Sequence, residues 1–173
     1  MLAGGDLRTL GRSAEVAAKV LAQPSLLSEL VRCFESDQEL IVARAADALE
    51  KIAAQEPRLL QPHKRLVLER LANMEHWVVR EHVCQLLPLL TNLSAAERRQ
   101  ALTTVEAYLD DQSSVVKAFA LECLVRLSKA PGFENDARRV QQIVDRCVEH
   151  GASAALRARA RKLVRQRTGD SKN

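Results

Sequence analysis

At 173 residues, 47% of them apolar, the chain is long enough for one domain with a sizeable core, and five aromatic residues (three Phe, one Trp, one Tyr) with only six Gly favour helices over strands. Apolar runs stay short, as at 52–54 or at 86–90 around Pro88, far from the about 20 residues of a membrane span. The net charge of +4 is gathered at one end: residues 154–173 hold seven Lys and Arg against Asp170, a local +6 that leaves −2 for everything before.

Taken in chain order, the N-terminal stretch MLAGGDLRTLGRS has no charged region followed by an apolar one, so no secretory signal is expected and the chain reads as soluble and cytoplasmic. Residues 6–22 read as the last helix of a partial repeat, because AQPSLL at 22–27 is echoed by AQEPRLL at 54–60. A first helix follows with Leu27, Leu30, Val31 and Phe34, then a bend at Ser36 and Asp37, then a second helix with Val42, Ala46 and Leu49. Pro57 opens the next pair, whose helices carry Leu66, Val67 and Leu71, then Val79, Val83 and Leu86, with Pro88 expected to bend the second. Ser94 and Glu97 form an S-x-x-E capping box before Leu102, Val105 and Leu109. Past the bend at Asp110 and Asp111 come Val116, Ala120 and Cys123. The last pair has Val140, Ile143, Val144 and Cys147, a bend at His150 and Gly151, and then Leu156, Ala160 and Leu163.

Val42, Val79, Val116 and Leu156 correspond at spacings of 37, 37 and 40 residues, and the segments WVVREHVCQLL and SVVKAFALECL show the echo most plainly. Within each segment the matching apolar sites fall at offsets of 4 and 7, one face of an α-helix. The expected organisation is a single all-α domain over 1–173: repeats at about 24–55, 57–92, 94–130 and 133–167, a partial repeat at 6–22 and a disordered tail at 168–173. Cys33, Cys84, Cys123 and Cys147 lack C-x-x-C spacing and sit at helix positions, so reduced core thiols are expected rather than disulfides or zinc ligands.

The pattern Asp111, Val116, Lys117, Ala120, Cys123, and again Val79, Arg80, Val83, Leu86, resembles the HEAT repeat family over nearly the whole chain. The resemblance implies a right-handed α-α superhelix of about four helix pairs plus the partial repeat, with the second helices on the concave side. It also implies that Arg80, Lys117 and Arg157, each at the start of a second helix, pair with bend acids of neighbouring repeats. The first repeat departs from the pattern, placing Ala43 where the cation should stand and Arg44 one step later.

Two chemistries are weighed on this scaffold. The helix ALRARARKLVRQR keeps Leu156, Ala160, Leu163 and Val164 as its buried stripe and fans Arg157, Arg159, Arg161, Lys162 and Arg165 over the rest. It is either a solvated solenoid cap or an anion-binding surface. The expected function is a non-catalytic scaffold that binds an acidic protein partner through Arg44, Asp47, Lys51, Arg80, Glu81, Lys117, Arg126, Arg157, Arg161 and Arg165. The alternative is contact with a nucleic-acid duplex backbone, since aromatic groups for stacking on single strands are lacking near the basic helix.

Enzymatic readings stand third. Glu75-His76, Glu81-His82 and Glu149-His150 reverse the His-Glu order of HEAT-like deoxyhypusine hydroxylases, and Asp47 lacks the aromatic cleft of HEAT-like alkylpurine DNA glycosylases. Phosphate-cradling and nucleophile-elbow motifs do not occur, so no cofactor or metal is expected. Trp77 reads as a packed inter-helix residue, and the apolar edge of the partial repeat suggests end-to-end homodimers.

Overall fold

Two prolines stop two helices in the same way. In the computed structural model, which describes residue 2 and residues 11–170, the last three by backbone alone, α1 (Ser13–Ala22) ends at Gln23 and α3 (Glu39–Gln55) ends at Glu56. Both stopping residues precede proline and leave helical geometry, at φ −137°, ψ 85° and φ −130°, ψ 75°. The proline ring clashes with a helical predecessor, and its fixed φ then starts a new turn. Short 3-10 turns accordingly open at Pro24–Leu26 and Pro57–Leu59. The echoed AQ(E)P motif therefore marks a repeat boundary by backbone chemistry.

The described residues are all-α, with no strand among them. They divide into two compact units, Met1–Thr91 and Asn92–Asn173, where length alone suggested one. Residues 90–94, which join them, leave the helical pattern, and Asn92 adopts a left-handed φ of 52° that asparagine tolerates better than most residues. Residues 6–10 of the expected partial repeat and 171–173 of the expected tail lie outside the described residues; the backbone is helical to Asp170, three residues past the expected end.

In the first unit α2 (Leu27–Arg32) leads through a 3-10 turn to α3, which packs against α1 on one side and α4 (Trp77–Leu86) on the other. A helix flanked on two sides needs small residues, and Ala43, Ala45, Ala46 and Ala48 are all buried. Between α3 and α4 the chain runs through 3-10 turns and a π turn at Leu66–Arg70. From that turn Arg70 reaches the preceding pair, donating to the Phe34 carbonyl at 3.1 Å with Glu35 at 3.5 Å. Pro88 does more than bend its helix. The α-helix ends at Leu86 and gives way to a 3-10 turn, Leu87–Leu89, because the ring denies an amide hydrogen to the Cys84 carbonyl.

The second unit is two further pairs, α5 (Ala95–Ala107) with α6 (Ser114–Leu127) and α7 (Ala137–His150) with α8 (Ala154–Asp170); α6 contacts all three of the others. The capping box forms: Ser94 Oγ accepts from the Glu97 amide at 3.2 Å, and the Ser94 amide donates to Glu97 Oε2 at 2.7 Å. Ser113 and Ser153 cap α6 and α8 in the same register, accepting from the amides of Val116 at 3.4 Å and Leu156 at 3.1 Å. Val42, Val79, Val116 and Leu156 are buried, as are Ala46, Val83, Ala120 and Ala160, and Leu49, Leu86 and Cys123. Leu163, in the last helix, is half-buried.

Candidate functional site

Helical spacing places Arg44, Asp47 and Lys51 on one face of α3, and the packing of α1 and α4 onto α3 encloses that face. Arg44 is only 3% exposed and Asp47 4%. Both were expected on a partner-binding surface, and both lie inside. Arg44 Nη1 donates to the Leu2 carbonyl at 2.8 Å, so residue 2 of the chain is held against α3. Its guanidinium packs under Gly11, whose φ of 54° suits glycine and where an added Cβ would stand 2.7 Å from the Arg44 guanidine carbon.

Asp47 accepts from the Ser13 hydroxyl of α1 and from the Lys51 ammonium one turn on, and His82 Nε2 of α4 lies 3.8 Å from its Oδ1. Burial pushes the His82 imidazole down to about 4; Lys51 adds to the fall and Asp47 opposes it. The ring is thus neutral at physiological pH, with Gln85 Nε2 3.4 Å from its Nδ1. Glu81, half-buried beside it, has its carboxyl raised by burial first, then by Asp47 and Glu50. Ser13, Asp47 and Lys51 satisfy one another, which is the arrangement a buried polar cluster needs to be tolerated. Ser13 and His82 were not expected as members. For His82 the signal was present, because residue 82 shares the helix face of Val79, Val83 and Leu86.

The starting cations of the second helices turn inward as well. Arg80 Nε donates to the Met74 carbonyl at 2.9 Å, and Arg157 Nη1 donates to the Gly151 carbonyl at 2.6 Å. Each reaches back six residues to the bend of its own pair. Gly151 is required there, since a Cβ would stand 2.6 Å from the Cys147 carbonyl oxygen and 3.0 Å from the Arg157 stem. Lys117, at the equivalent site of α6, is half-buried.

Of the expected site residues, the exposed ones, Arg126, Arg161 and Arg165, belong to the second unit. On α8, Arg159 pairs with Glu122 of α6 and lies over the Phe119 ring at 5.2 Å from its centroid. Arg161, Lys162, Arg165 and Arg167 are exposed, as are Arg126 and Lys129 at the end of α6. Lys129 and Arg167 line a groove of about 210 Å³. Its apolar floor is Val125, Val140, Val144, Leu163 and Val164, with Ala137, Ser128, Gln141 and Gln166 at its sides and Lys129 and Arg167 at its rim.

A larger depression of about 550 Å³ lies at the bend ends of α5 and α7, lined by Glu106, Asp110, Arg146, Cys147 and His150 among others. A third, of about 360 Å³, lies in the first unit between α1 and α2, lined mostly by Val16, Val20, Leu26, Leu30 and Ile41. Among the described residues no group of three or more His, Cys, Asp or Glu could hold a metal ion, and no helix is long and apolar enough to cross a membrane. The four cysteines are thiols; Cys84 and Cys123 are buried, and burial raises the half-buried Cys33 and Cys147 above the ordinary thiol value. Trp77, expected to pack between helices, is 47% exposed, because it occupies the first position of α4 on the side away from Val79 and Val83.

Fold and surface together define an all-α protein of paired helices, with a run of exposed cations at Arg161, Lys162, Arg165 and Arg167 of α8. Neither the family models, nor the curated proteins, nor the solved structures provide a match to this chain.

Proposed function

We propose that the chain is a HEAT-like, non-catalytic interaction module and that its second unit binds an acidic segment of a protein partner. The binding set is Arg126, Arg161 and Arg165 with Lys162 beside them. The observation that carries the reading is the exposed face of α8, where Arg161, Lys162 and Arg165 are exposed and the sequence has no acid from 154 to 169, whereas a mere solvated cap could carry mixed charge. Arg80, Arg157 and Arg159 support the fold by their bonds to bend carbonyls and to Glu122, Arg44 by its bond to the Leu2 carbonyl, and Asp47 and Lys51 by their interior pair.

The test is fluorescence anisotropy with a labelled peptide of Asp and Glu at about 50 mM salt. Replacing Arg161, Lys162 and Arg165 together by Ala should weaken binding at least tenfold with helical circular dichroism unchanged. Binding that survives the triple substitution would overturn the reading. A duplex of DNA in the same assay separates the nucleic-acid alternative, for which about four neutralised phosphates give a log–log salt slope near −3.6.

A further inference from the structure

We infer that the groove between the ends of α6, α7 and α8 is the specificity pocket for the acidic segment: it takes one apolar side chain of the partner while flanking carboxylates meet Lys129 and Arg167 at its rim. The inference rests on the proposed binding of an acidic segment and gives that segment a sequence.

Size argues for a side chain. The groove holds about 210 Å³, below the roughly 300 Å³ at which pockets for small molecules begin. Chemistry argues for an apolar one. Val125, Val140, Val144 and Val164 come from three different helices and converge on the same floor, so the site is built by tertiary packing. The rim supplies the complement. Lys129 and Arg167 line the groove itself and are exposed, and Arg126 lies one turn before Lys129 on the same side of the unit. Gln166, exposed at the edge, offers an amide that can bond an extended backbone.

Asp145 is an acid close to this region, and its carboxylate accepts from Gln141 Nε2 at 2.7 Å. An apolar anchor seated among cations is the arrangement by which interfaces concentrate affinity in one buried contact and orientation in the charges around it. A uniformly acidic peptide would use the charges and leave the floor wet.

The experiment compares two labelled peptides on the full chain, each a short run of Asp and Glu, one with Leu at its centre and one with Ser. The Leu peptide should bind at least tenfold more tightly. Ala137→Phe, at an exposed position beside the floor, should fill the groove, abolish the difference and leave the Ser peptide unaffected. Val164→Asn, at a half-buried floor position, should act the same way by a different route, so a folding defect in either variant alone does not decide the matter. Equal binding of the two peptides, with both groove variants silent, overturns the pocket and leaves the acidic-surface reading intact. Failure of both peptides to bind at about 50 mM salt overturns both, as would a DNA duplex that binds the chain more tightly than the Leu peptide.

Discussion

Asp47 is the residue on which the interior of the first unit turns. A carboxylate 4% exposed is tolerated there because the Ser13 hydroxyl and the Lys51 ammonium supply it with donors. Asp47→Ala should therefore cost about 2–3 kcal/mol, measured as a lower urea midpoint, because Ser13 and His82 are left facing an apolar gap. Asp47→Asn retains an acceptor for Ser13 and should cost less.

His82 adds a pH dependence whose sign follows from its direction. Its native value is pushed from 6.5 to about 4, chiefly by burial, so between those values the unfolded chain binds a proton that the native state does not. Stability is retained above the ordinary value and lost as pH falls through the window, by roughly 3 kcal/mol at most. Glu81, raised by burial, titrates with the opposite sign and offsets part of that loss. Denaturant unfolding at a series of pH values should show the slope, and His82→Gln should flatten it.

Among the elements, the second helices show how much was legible in the sequence. Their apolar faces were, because the helix period alone brings residues 79, 83 and 86 together and the same is true of 116, 120 and 123. Leu163 is half-buried and lines the groove between α6, α7 and α8. The destinations of the cations were not legible. A side chain at the first turn of a helix can meet a neighbouring acid or its own bend carbonyl, and sequence spacing does not separate the two. Arg44 is the extreme case, since its partner carbonyl at Leu2 lies 42 residues away. The groove was illegible for the same reason: its walls come from three helices, and only packing assembles them.

Arg80 and Arg157 now carry a specific expectation. Each bond joins a charged donor to a bend carbonyl in a half-buried setting, so Arg80→Met or Arg157→Met should destabilise by about 1.5–2 kcal/mol in thermal or urea unfolding. Arg80→Lys should recover part of the loss, since an ammonium can still donate to the same oxygen.

Across the whole molecule the charge is divided as the units are. The second unit has fifteen Lys and Arg against ten Asp and Glu, and the first has eleven against twelve, so +5 of the net +4 stands beyond residue 91 and the first unit is slightly acidic at −1. The second unit also has its own core, from Leu102 and Val105 of α5 through Val116 and Leu124 of α6 to Val140, Val144 and Leu156. A fragment of residues 92–173 should therefore melt cooperatively by circular dichroism and bind the Leu-centred acidic peptide within about threefold of the full chain, if the pocket and its cations all lie there. Salt then resolves the two contributions. Raising it from 0.1 to 1 M shortens the screening length from about 10 to about 3 Å, which should remove most of the binding of the Ser peptide. The advantage of the Leu peptide should persist, because burial of apolar surface does not depend on that screening. A Leu advantage that vanished with salt would mean that the groove contributes no apolar contact at all.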